Sequence, residues 1–124
     1  MNRESPAKLT LPTVIEKRPT EPHQWTLSLF IPAELEYFKG HFPEAPILPG
    51  VVQVHWAEHF GRELLPLKGL FLRLEAVKFQ QIIRPQQTVQ LELEYTTSKN
   101  KLMFRFSSDK GQHATGRIVF GERN

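Results

Sequence analysis

Residues 51–65 constrain the fold of this chain more than any other stretch. On a helical wheel at about 100° per residue, Val54, Trp56, Ala57, Phe60, Gly61, Leu64 and Leu65 spread over more than half of the circumference. The polar remainder is a narrow stripe holding His55, Glu58, His59, Arg62 and Glu63. An ordinary surface helix buries one stripe and leaves the rest in water. A helix this apolar needs apolar surface around most of its girth, and a sheet curled about it is the natural provider. Pro66, which cannot continue the ladder, closes it.

The rest of the chain reads as that sheet. Residues 25–31 place Trp25, Leu27, Leu29 and Ile31 on one face, the period of a half-buried strand. Residues 13–17 read as a short strand broken by Pro19 and Pro22, and residues 32–39 as a connector with Tyr37 and Phe38 turned inward. Beyond the helix, residues 70–83 carry alternating apolar side chains and Arg84-Pro85-Gln86-Gln87 turns the chain. Residues 88–95 alternate through Val89, Leu91, Leu93 and Tyr95, Ser98-Lys99-Asn100 turns again, and residues 102–106 form a further strand. Asp109-Lys110-Gly111 is a hairpin signal, and residues 114–120 finish the sheet. One long helix with a meander of antiparallel strands is an α+β fold. Residues 1–13 are expected to be a flexible N-terminal tail and residues 14–124 a single domain.

Composition narrows the function classes. A chain of 124 residues is the size of one domain, and its 40% hydrophobic and 23% charged content is that of a soluble globular protein. Without cysteine there is no disulfide framework, thiolate nucleophile or cysteine metal site, and a cytoplasmic address is expected. No apolar run approaches the length of a membrane span, so membrane insertion is not expected. The net charge of +3 is unevenly placed: residues 67–124 hold ten Lys/Arg against five Asp/Glu. These cations are scattered singly and no aromatic platforms are interleaved with them, which argues against nucleic acid. An acidic protein suits such a face better.

Directly ahead of the helix, Pro43, Pro46 and Pro49 fix φ at every third position, and Gly50 lets the backbone pass without a Cβ. By itself such a loop is a stiff connector. His41 at its start gives it a second meaning, because an imidazole on a braced loop facing the open N–H groups of a helix N-terminus suits acyl chemistry.

The string GHFPEAPILPGV at residues 40–51 resembles the active-site signature of the FabZ/FabA-like 3-hydroxyacyl-acyl-carrier-protein dehydratases, a hot-dog-fold family. Gly40, His41, Phe42, Pro43, Pro46, Pro49, Gly50 and Val51 all fall at that family's positions, and residues 75–87 (EAVKFQQIIRPQQ) resemble its strand and turn after the helix. The PGVVQ-x-x-W helix is similar to that of the ApeI-type branch of aryl-polyene pathways. The resemblance implies a curled antiparallel sheet around one central helix, a homodimer (with higher oligomers open) whose sites lie at the interface, and a substrate delivered on the phosphopantetheine of an acyl carrier protein. It implies His41 as the base, Gly50 with Val51 as the thioester-polarising helix start, and Phe42, Pro49, Val54 and Trp56 along the substrate tunnel. Trp56 is open between tunnel and dimer seam. No metal or organic cofactor is implied, since the thioester itself acidifies the α-proton.

One departure stands out. Family members carry glutamate or aspartate where this chain has His55, and a glutamine one turn later where it has His59. Three readings follow: a protonated His55 serves as the acid, Glu58 supplies the carboxylate, or dehydration is lost and a thioesterase or inactive acyl-carrier-binding subunit remains. His55 and Glu58-His59 also spell HxxEH, whose histidines at i and i+4 can share zinc, but the upstream signature accounts for the same helix better. His23 and His113 are expected at the surface.

Overall fold

The computed structural model describes residues 8–39 and 45–122. Six strands form one antiparallel sheet: β1 (Thr13–Glu21), β2 (Gln24–Phe30), β3 (Leu70–Phe79), β4 (Thr88–Thr96), β5 (Lys101–Ser108) and β6 (Gly111–Gly121), in the order β1-β2-β4-β5-β6-β3. The single α-helix among the described residues, α1 (Gly50–Leu64), lies against β4, β5 and β6. This is the hot-dog arrangement, and the expected wrapping is realised.

Register explains how the sheet accepts so apolar a helix. Leu27, Leu91, Phe106 and Ala114 stand in one cross-strand row, and Trp25, Leu93, Phe104 and Gly116 in the next. These rows meet Val52, Val54, Trp56, Ala57 and Phe60 of α1 in one buried cluster. Each large side chain fully removed from water contributes about 1.5–3 kcal/mol, so the cluster dominates the stability of the domain. Gly61 sets how closely the helix approaches, since a Cβ there would lie 2.6 Å from Leu102 Cδ2.

Several boundaries differ from expectation. β1 runs on through Pro19, which stands opposite Trp25. A proline is tolerated there because β1 is an edge strand, paired on one side only. The strand expected over residues 70–83 ends at Phe79, after a bulge between Glu75 and Lys78 where Ala76 has φ of 51°. Leu9 and Thr10, assigned to a loose tail, are tied in: the Glu36 N–H donates to Leu9 O at 2.8 Å and the Trp56 indole N–H to Thr10 O at 2.9 Å. An indole N–H buried in a core needs an acceptor, and the chain ahead of β1 provides it.

Candidate active site

The site is built where the proline-spaced loop enters α1. Pro49 is the N-cap residue, extended at φ −61° and ψ 147°, and Gly50 is the first helical residue, one earlier than the wheel suggested. The Pro49 carbonyl accepts from the Val52 and Gln53 amides at 3.1 and 3.3 Å. Among the described residues no side chain caps this end and the Gly50 and Val51 amides meet no acceptor. They are the outermost of the four N–H groups that every helix leaves open, at the positive end of its dipole.

Leu48 anchors the approach. Its N–H donates to Ile83 O at 2.8 Å, and its carbonyl accepts from Gln53 Nε2 at 3.3 Å. Gln53 is only 3% exposed, and its Oε1 has no partner among the described residues. The wheel had not singled out this polar residue on the buried side, and the burial of a lone glutamine is invisible to periodicity. Phe79, also not singled out, covers the helix start: a Cβ on Gly50 would lie 2.6 Å from its Cζ. The glycine there lets the Phe79 ring lie over the helix start, and a Cβ would have to push that half-exposed ring aside.

The named residues divide into groups. Gly50, Val51 and Pro49 do come together at the helix start. Val54 and Trp56 are buried in the core. Trp56 is wholly enclosed within its own chain, so it cannot form a seam with a neighbour. His55 and His59 are exposed on the polar stripe, and Val51, one turn before His55, is 75% exposed despite being apolar. Glu58 is engaged by the Arg62 guanidinium at 2.9 Å, which also donates to Gly69 O and lies 5.0 Å over the Phe120 ring. That contact holds the Glu58 carboxylate toward its own chain. His41 and Phe42 lie outside the described residues. Among the described residues no third ligand joins His55 and His59 in a metal-binding cluster.

His113 is a correction. Expected at the surface beside a hairpin, it is fully buried, because its position on β6 faces the stretch that follows β3. His23, by contrast, is exposed in its turn.

Elsewhere, three cations of the C-terminal half surround one carboxylate. Glu75 accepts from Lys101 at 2.9 Å and Arg73 at 3.1 Å, with Arg117 at 3.9 Å. The hydrogen bond from Lys101, followed by that from Arg73, outweighs partial desolvation and holds the Glu75 carboxyl below the usual carboxylate range. A trough of about 420 Å³ crosses the outer face of the sheet between Lys78, Arg105 and Arg117, but no residue of α1 or of the loop before it lines it.

Comparison with known proteins matches this architecture to relatives. Residues 16–117 match the ApeI dehydratase family. The FabZ 3-hydroxyacyl-acyl-carrier-protein dehydratase of Ruminiclostridium cellulolyticum is 35% identical over 100 residues, covering 73% of this chain and 70% of that protein. That of Erythrobacter litoralis is 38% identical over 76 residues, 54% of this chain and half the length of the relative. Among solved structures, the dehydratase heterocomplex ApeI:P from Xenorhabdus doucetiae superposes with a TM-score of 0.81 at 33% identity, covering 87% of this chain and 96% of that one. With the match over residues 16–117 and the sheet wrapped about α1, the chain belongs to the ApeI-like family of hot-dog dehydratases.

Proposed function

We propose that this protein is a 3-hydroxyacyl thioester dehydratase, acting on substrates carried by an acyl carrier protein in fatty-acid or aryl-polyene synthesis. The observation that carries the proposal is the Gly50 amide at the positive end of α1, without an acceptor among the described residues and just after the Leu48 anchor. A thioester carbonyl at that amide is polarised, which acidifies the neighbouring C2–H. His41 takes the C2 proton, the electron pair forms the C2=C3 bond, and the C3–O bond breaks. The hydroxyl leaves as water after receiving a proton, and a trans-2-enoyl thioester remains. No cofactor enters this scheme.

The acid is His55, reaching a site on a second copy. His55 is exposed on its own chain beside the outward-facing Val51, a face that a partner would cover. The edge strand β3 supports such pairing: Leu70, Leu72, Leu74 and Phe79 are apolar and exposed on a strand whose outer side has no neighbouring strand among the described residues. The cations of the C-terminal half suit an acidic carrier protein.

Incubation with a panel of 3-hydroxyacyl carrier proteins, followed by mass spectrometry, tests the reading through the loss of one water. His41→Ala should abolish the loss in a folded protein, and His55→Glu should preserve it. Free acid in place of enoyl product would instead mark a thioesterase, which the Arg62-bound state of Glu58 disfavours. A second reading, a subunit that works only beside a different hot-dog chain, draws on the histidine at position 55 and on the heterocomplex formed by the Xenorhabdus relative. Unchanged substrate with the purified protein, and turnover restored by a second chain, would favour it.

A further inference from the structure

His113 stands apart from the residues assigned so far, yet its hydrogen bonds lead to the helix start. Its Nδ1 lies 3.1 Å from the carbonyl oxygens of both Gln81 and Ile82, and its Nε2 lies 2.6 Å from Ser108 Oγ. Carbonyls only accept, so Nδ1 carries a proton and donates to both. Ser108 Oγ accepts from the Lys110 N–H at 3.1 Å, which leaves its own hydrogen to be donated to Nε2. The backbone of the same residue holds the same stretch, since the His113 carbonyl accepts from the Gln80 and Gln81 amides at 2.9 and 3.3 Å. Residues 80–83 belong to no strand. His113 therefore substitutes for the ladder they lack.

That stretch ends in Ile83, which is fully buried and accepts the Leu48 N–H at 2.8 Å. Leu48 is gripped on its other side by Gln53, and two residues later the chain reaches Gly50. We infer that His113 is a positioning residue for the Gly50 amide, acting through a hydrogen-bonded brace from its buried imidazole to the Gln81 and Ile82 carbonyls, Ile83, Leu48 and Gln53. The assignment of the Gly50 amide as thioester donor rests on the function proposed above; the brace itself does not. A donor amide is useful only where charge develops, and loss of the Nδ1 proton removes the side-chain tie on the Gln81 and Ile82 carbonyls, which frees residues 80–83 to shift.

The test compares His113→Asn with His113→Gln in the full chain. The Asn amide nitrogen takes the place of Nδ1 and keeps a donor for Gln81 and Ile82, whereas the Gln amide nitrogen takes the place of Nε2 and does not. Hydrogen exchange at the Leu48 amide reads the brace independently of any activity: it should quicken ~10-fold or more in His113→Gln and stay near wild type in His113→Asn. In the dehydratase assay His113→Gln should lose ~10–100-fold in kcat with little change in KM, and His113→Asn should recover most of that loss. Wild-type Leu48 exchange in a folded His113→Gln protein overturns the brace, whatever the enzyme proves to catalyse. Faster exchange with unchanged kcat overturns its role in turnover. Should His113→Gln fail to fold, Gln53→Met frees the Leu48 carbonyl at similar volume and must give the same kcat loss; wild-type turnover there overturns the inference.

Discussion

Gly50 shows how one missing Cβ ties sequence to chemistry. Alanine at the start of a helix normally gains about 0.5–1 kcal/mol over glycine by reducing the freedom of the unfolded chain. Here the added Cβ would lie 2.6 Å from Phe79 Cζ, but that atom is the far end of a side chain that is 52% exposed and can swing aside. Gly50→Ala should therefore change stability little in denaturant titrations while displacing the Phe79 ring from the helix start, and the same change in a Phe79→Ala background should be stabilising. A second residue-scale expectation concerns Glu75. Its carboxyl is held below the usual range, so its ion pairs contribute stability above the unfolded carboxylate pKa, and that contribution is lost as pH falls through the folded value. Glu75→Gln should lower Tm at neutral pH, and the difference from wild type should shrink toward zero in acid. The signature itself was legible as residues, but Phe79, Gln53 and His113 were not. Each owes its role to a neighbour distant in sequence: Phe79 to Gly50, and His113 to Gln81 and Ile82.

The strands teach a similar lesson. Alternation in residues 88–95 and 102–106 located β4 and β5, both flanked by strands and buried on one face only. It served less well at the two edges. β1 is exposed along its whole length and passes through a proline, so it has neither the apolar period nor the continuous donors by which a strand is recognised. β3 alternates on paper, yet its leucines are largely exposed within the single chain. Apolar side chains on an unpaired edge are what a second copy would cover. The wild-type protein should run as a dimer in light scattering, and Leu72→Lys with Leu74→Lys should give folded monomers with little or no dehydratase turnover. A double variant that remains dimeric would place the contact elsewhere.

At the scale of the whole molecule, the broad apolar face of residues 51–65 made a wrapped helix the economical solution, and the sheet supplied the wrapping. Local signals were enough for this because helix period, strand period, prolines and hairpin turns act over a few residues. They also located the loop and its glycine, so the fold class could be read from residues alone; the family came from the resemblance of residues 40–51 to a known signature. What only the folded chain decided were relations between distant segments: the Phe79 ring over Gly50, Arg62 claiming Glu58, the burial of Gln53 and His113, and the exposure of His55 and Val51 on one face. These depend on strand register and on how closely α1 approaches the sheet. Both are set by packing across the entire core, which no short window of sequence contains.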